Sequence, residues 1–179
     1  MFRLETERLI IRPWEPDDRP ALRALTDDPE VMRYVHGGLP YTEEEIDEHF
    51  TRQARHMREV GVCMGALIER ATNRLVGVAG TQPLGTTGEY EIGWWLARDV
   101  WGRGYATEAG AAAMRHVFEV LDRPRVLAII DPPNEPSKRV VGRLGFNYVA
   151  RRTGVELGHR RPEIVVDLFS RERPSIGPT

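Results

Sequence analysis

The chain carries one cysteine, Cys63. No disulfide can close within it, so a reducing compartment is expected, with the thiol in the core. No apolar run reaches membrane-spanning length, and the opening Met1-Phe2-Arg3-Leu4-Glu5 has no apolar signal segment. Cytoplasmic residence is the expectation, with no membrane partner. A surplus of charge is also lacking. The formal net charge is −2, from 25 Lys and Arg against 27 Asp and Glu, which argues against a nucleic-acid partner. The five histidines form no metal-ligand spacing, so no metal is expected. There is no internal repeat and no linker between halves. A single domain over 1–170 is expected, long enough to bury a proper core. Pro174, Gly177 and Pro178 mark 171–179 as a disordered tail.

What is present is concentrated in Arg98-Asp99-Val100-Trp101-Gly102-Arg103-Gly104-Tyr105-Ala106-Thr107-Glu108-Ala109. A strand pattern runs into this stretch and a helix pattern runs out of it. Small residues let the backbone come close to a ligand, and successive amides point into one space. The helix adds free N–H groups and the positive end of its dipole. An anion held by main chain at 102–107 is expected. No Gly-Lys-Ser/Thr follows, so this is not a P-loop, and the glycine spacing is not that of a dinucleotide fingerprint.

The flanking elements follow from periodicity. Arg8 to Arg12 reads as a strand, and Asp17 or Asp18 as the cap of a helix bearing Ala21, Leu22 and Leu25. Val31 to Val35 has no clear type. Thr42-Glu43-Glu44-Glu45 is a capping box, followed by Ile46, Phe50, Ala54 and Met57 on one helical stripe. His49 and His56 are expected on the polar side. Val62 to Glu69 and Leu75 to Leu84 form a hairpin around Ala71-Thr72-Asn73. Glu89 to Leu96 adds a third strand, with Tyr90, Ile92, Trp94 and Leu96 on one face and Glu89, Glu91, Gly93 and Trp95 on the other. These make an antiparallel meander. The helix from Thr107 to about Leu121 leads to the apolar strand Arg125 to Ile130, closing a β-α-β crossover. A short helix ends at Leu144-Gly145, and strands follow at Phe146 to Ala150 and Ile164 to Phe169.

With these residues in order, the chain resembles the GNAT acyltransferases. More narrowly, it resembles the RimJ/RimL-like branch, which contains bacterial ribosomal-protein N-terminal acetyltransferases. Four pieces carry the likeness: Thr6-Glu7-Arg8-Leu9-Ile10-Ile11-Arg12-Pro13, Asp28-Pro29-Glu30-Val31-Met32, the stretch from Trp101 to Ala109, and Asn134 and Ser137 with Leu144-Gly145-Phe146. The resemblance implies an α/β (α+β) GNAT fold: a mixed, mostly antiparallel sheet of six to seven strands, flanking helices and a splayed central parallel pair. It also implies transfer of an acetyl group from acetyl-CoA to a primary amine within a ternary complex. The acceptor would be a small molecule or a protein N-terminus. Dimers are common among such enzymes. A non-catalytic acyl-CoA-binding or regulatory module on the same fold is the alternative.

The same likeness assigns candidate residues. Trp101, Gly102, Arg103, Gly104, Tyr105, Ala106 and Thr107 would hold the CoA pyrophosphate, chiefly by amides. The pantetheine arm would lie between the diverging strands, with a main-chain donor near Ile92 to Trp94 facing the thioester oxygen. Ser137 would protonate the leaving thiolate, or else cap the short helix. Asn134 would bond the cofactor or lock its loop. The amine needs a base, and the candidates are Glu89, Glu91 and Glu156, the last standing ten residues after Phe146. The acceptor side would come from Met32 to Pro40, the helix after Thr42, and Gly154 to Glu163.

Overall fold

The computed structural model describes residues 2–174. Strands β1 (Leu4–Glu5) and β2 (Leu9–Arg12) open the chain, followed by helix α1 (Arg19–Thr26). Asp18 precedes α1 but does not cap it. Its carboxylate takes two hydrogen bonds from Arg12, at 2.7 and 2.8 Å, and one from the Glu15 amide. The untyped segment is helical at its start: α2 spans Pro29–Met32, and the Asp28 side chain accepts from the Glu30 amide. Helix α3 (Glu43–Val60) begins at the Thr42–Glu45 capping box and ends on Gly61 in the left-handed region.

Strands β3 (Met64–Glu69), β4 (Arg74–Pro83) and β5 (Tyr90–Leu96) form the meander. Helix α4 (Tyr105–Glu119) starts two residues before the expected Thr107, with Gly104 in the cap position ahead of it. Strand β6 (Arg125–Ile130), helix α5 (Glu135–Arg143), and strands β7 (Asn147–Thr153) and β8 (Val165–Glu172) complete the fold. The sheet has eight strands in the order β1-β2-β3-β4-β5-β6-β8-β7. It exceeds the expected count through the two-residue β1. Only β5–β6 is parallel, and its sole paired residues are Glu91 and Leu127. Beyond them the strands part.

Alternation along each strand sorts side chains to two faces. Tyr90, Ile92 and Leu96 join Val126, Ala128 and Ile130 in the core beneath α4 and α5. The alanines Ala109 and Ala113 on α4 let that helix sit close. Trp95 and Val78 face the opposite way, against residues of α1, α2 and α3. Cys63 is fully buried, and burial pushes its thiol up to about 12, so it stays protonated as a core residue. The C-terminal expectation needs correction. β8 continues to Glu172, and Arg173 donates from its amide to the Pro124 carbonyl at 2.8 Å. Of the proposed tail, 175–179 lie outside the described residues.

Candidate active site

The loop between β5 and α4 is built to present amides. Gly102 and Gly104 sit at φ +76° and +80°, a left-handed region that favours glycine. No side chain caps α4. Among the described residues, none of the amides from Gly102 to Thr107 donates to another protein group. These donors border a cavity of about 520 Å³ whose wall includes Gly102, Gly104, Ala106, Thr107, Pro136 and Arg139. A run of unanswered amides at a helix N-terminus suits a phosphate or pyrophosphate.

The loop is braced from behind. Trp101 donates its indole N–H to the Leu96 carbonyl at 2.9 Å. The Tyr105 hydroxyl donates to Glu69 at 2.6 Å, which engages its one O–H. Arg103 leans the same way, 3.5 Å from Glu69, and its side chain is not part of the cavity wall. Arg8 donates to the Arg103 carbonyl at 2.9 Å and stacks over the Tyr105 ring. Glu108 on α4 accepts from the Thr6 hydroxyl, the Arg8 amide and the Arg8 guanidinium. The opening segment and the cradle are therefore one hydrogen-bonded unit, which the sequence showed only as two separate motifs.

A second cavity of about 380 Å³ opens where β5 and β6 part. Trp94, Trp95, Asn134 and Ser137 border both cavities, as do Tyr34 and Val35. Segments 34–37, 41–53 and 159–161 supply the far wall. Asn134 is the cap of α5: its Oδ1 accepts from the Ser137 amide at 3.2 Å. The alternative that Ser137 caps this helix is thus corrected, and its hydroxyl is not engaged as a cap. Ile92 is buried in the main core and borders the second cavity.

The three carboxylates part company. Glu91 is 5% exposed, borders the second cavity and accepts from the Gln82 amide at 2.8 Å. Burial pushes it up to about 7, against the lowering effect of Gln82 and Arg160. Glu89 lies outside both walls and pairs with Arg125 at 2.5 Å. Glu156 is exposed and turned back onto its own turn. It accepts from the Thr153 amide and hydroxyl, and those bonds hold it below the usual carboxylate range. Shared strand phase did not give Glu89 and Glu91 the same surroundings, because Glu89 stands at the sheet end within reach of an arginine.

Some wall residues escaped the sequence reading. His49 and Gln53 lie on the buried stripe of α3 rather than its polar side, while Ala54 is exposed. Counting three and seven residues on from Ile46 reaches both, and polar residues on an apolar stripe are the signal. Burial drives His49 down to about 3, which keeps it neutral. Gln53 accepts from the Met64 amide at 2.9 Å.

A family model described as an acetyltransferase (GNAT) domain matches residues 8–147. The chain belongs to this family. It is 32% identical to YkkB of Bacillus subtilis (strain 168) over 149 residues, 82% of this chain and 86% of that one. The acetyltransferase of Agrobacterium tumefaciens str. C58 shares its structure with a TM-score of 0.80 and 27% identity, covering 97% of this chain and 95% of that one. A more distant fold match is RimL, a ribosomal L7/L12 alpha-N-protein acetyltransferase in complex with coenzyme A. It has a TM-score of 0.76 and 18% identity, covering 96% and 98% of the two chains. The loop 102–107 lies within the matched region. The chain shares the mixed sheet of this family with one parallel pair. Among the described residues no helix is long and apolar enough to cross a membrane, and no group of three or more His, Cys, Asp or Glu could hold a metal.

Proposed function

We propose that this GNAT protein transfers an acetyl group from acetyl-CoA to a primary amine, in the RimJ/RimL-like manner. The carrying observation is the juxtaposition of two cavities across one wall. Unanswered amides border the first, a buried carboxyl borders the second, and Ser137 borders both. The CoA-bound structure of the RimL fold supports the choice of anion. The amides of 102–107 would hold the pyrophosphate, and the gap between β5 and β6 would take the pantetheine arm. Acetyl-CoA would supply an activated thioester at the shared wall.

The rest is the work of this chain. Glu91, as a carboxylate, takes a proton from the incoming ammonium and leaves a neutral amine. The amine nitrogen forms a bond to the acetyl carbon, the carbon–sulfur bond breaks, and the proton that the nitrogen then sheds replaces the one the Ser137 hydroxyl gives to the sulfur, so the products are the amide and the free thiol. Direct attack suits a site in which Cys63, the chain's one thiol, is buried in the core. The test is twofold: calorimetry with acetyl-CoA, and CoA release across an amine panel. Binding with acceptor-dependent release is the expected result. Binding without release from any amine would favour a non-catalytic acyl-CoA-binding module.

A further inference from the structure

The wall of the second cavity carries three arginines, Arg52, Arg160 and Arg161, against two acids, Glu91 and Asp131. Arg52 has a side chain only 13% exposed, yet its nearest carboxylate is Glu48 at 3.6 Å, itself 62% exposed. Its other neighbour is the His49 ring at 3.5 Å, which is uncharged. Arg160 has no carboxylate within ion-pair distance among the described residues, and its charge reaches Tyr41, His49, Arg52 and Glu91. Burial and then Arg160 lower the Arg52 pKa, as expected where a second cation borders the same cavity. Arg161 is different. It is tied to the Val35 carbonyl at 3.0 Å and to Glu163 at 2.9 Å.

Two acids, Glu91 and Asp131, share that wall. Asp131 is raised chiefly by burial, as Glu91 is, so both hold protons more tightly than free carboxylic acids. The His49 Nε2 adds an independent sign: it is buried without a hydrogen-bond partner, on a residue 3% exposed at the cavity wall. Arg160 stands exposed at the cavity wall, whereas the Arg52 side chain is largely buried; a largely buried cation and an orphaned polar atom are costly unless something pairs with them.

Resting on the acetyl-transfer reading, we infer that the acceptor is a small amine that also carries an anionic group, a carboxylate or a phosphoryl. Arg52 and Arg160 hold the anion, and the amine turns toward Glu91. A polyamine would set further positive charge against the two guanidinium groups and is disfavoured. The cavity volume of about 380 Å³ lies at the small end of the range for small-molecule sites.

The experiment is CoA release with matched pairs: L-amino acids against their α-amides, and O-phosphoethanolamine against ethanolamine, with spermidine as the polycation. The anionic member of a pair is expected to show at least a tenfold higher kcat/KM. Which pair shows it identifies the anion. In Arg52→Gln and Arg160→Gln that ratio falls toward one, acetyl-CoA binding serving as the check on folding. Preference for the neutral members or for spermidine overturns the inference while leaving acetyl transfer intact, as does a ratio untouched by both substitutions. If no acceptor releases CoA, the acetyl-transfer reading fails. Calorimetry with the same acids, lost in Arg160→Gln, then still decides whether the cavity takes anions.

Discussion

At the scale of single residues, Glu91 has the sharpest consequences. A base must be ionised to accept a proton, so kcat/KM should rise with pH and level off above about 7. Glu91→Gln should lower turnover by roughly 100-fold or more and remove that rise. A pH profile that keeps its inflection in the variant would assign the proton to another group. The same burial has a stability cost. The folded pKa lies above the unfolded value, so the contribution of Glu91 is full below about 4.5 and lost as pH rises through about 7. Glu91→Gln should therefore be more stable than the parent at pH 8, by roughly 3 kcal/mol, with the gain vanishing near pH 4. Melting curves at both pH values measure it. Ser137 makes a narrower claim. Ser137→Ala should leave acetyl-CoA affinity within about twofold and slow turnover about tenfold or more. Equal turnover would remove the hydroxyl from the chemistry, and its amide would still be held by Asn134.

Elements set where the cradle points. Helix α4 could present its N-terminus in many directions, and Glu108 fixes one by gathering Thr6 and Arg8. Removing that carboxylate leaves partly buried donors unanswered. Glu108→Ala should cost about 2 kcal/mol and weaken acetyl-CoA binding several-fold, because the loop loses its backing. Thermal denaturation and calorimetry test the two halves, and a stable variant with full affinity would show the brace to be dispensable. At Gly104, φ +80° is the constraint: a Cβ there would make only ordinary contact, with Arg8 at 3.6 Å, so strain in the backbone dominates over crowding. Gly104→Val should reduce acetyl-CoA affinity more than tenfold, the helix start reorienting to relieve that strain.

Across the whole molecule, two cavities are assembled from different parts of the chain. The first depends on the β5-to-α4 turn and α5, the second on α3 and the segment carrying His159, Arg160 and Arg161. That last segment closes tightly on Gly154, where a Cβ would stand 2.0 Å from the Arg161 carbonyl oxygen. Gly154→Ala must displace it. The acceptor KM should rise about tenfold, while acetyl-CoA affinity stays within twofold. Coupled loss of both would mean that the two cavities do not act separately.

Features governed by neighbours in sequence were legible without coordinates. The Thr42 capping box, the meander, the β-α-β crossover and the amide cradle all rest on backbone preference and periodicity, which operate over a few residues. Cys63 could be placed in the core because it has no partner in the chain. Desolvation and pairing are set by residues far along the chain, and these only the folded sheet decided. Glu89, Glu91 and Glu156 are the same side chain, yet one meets Arg125, one is buried beside Gln82, and one folds back on Thr153. His49 and Arg52 look like an ordinary solvated helix face until the fold brings α3 and the parted strands β5 and β6 to the wall of one cavity. The turn from β5 into α4 thus declares the proposed donor end locally, whereas the proposed acceptor end exists only where α3, the parted strands and Arg160 border one cavity.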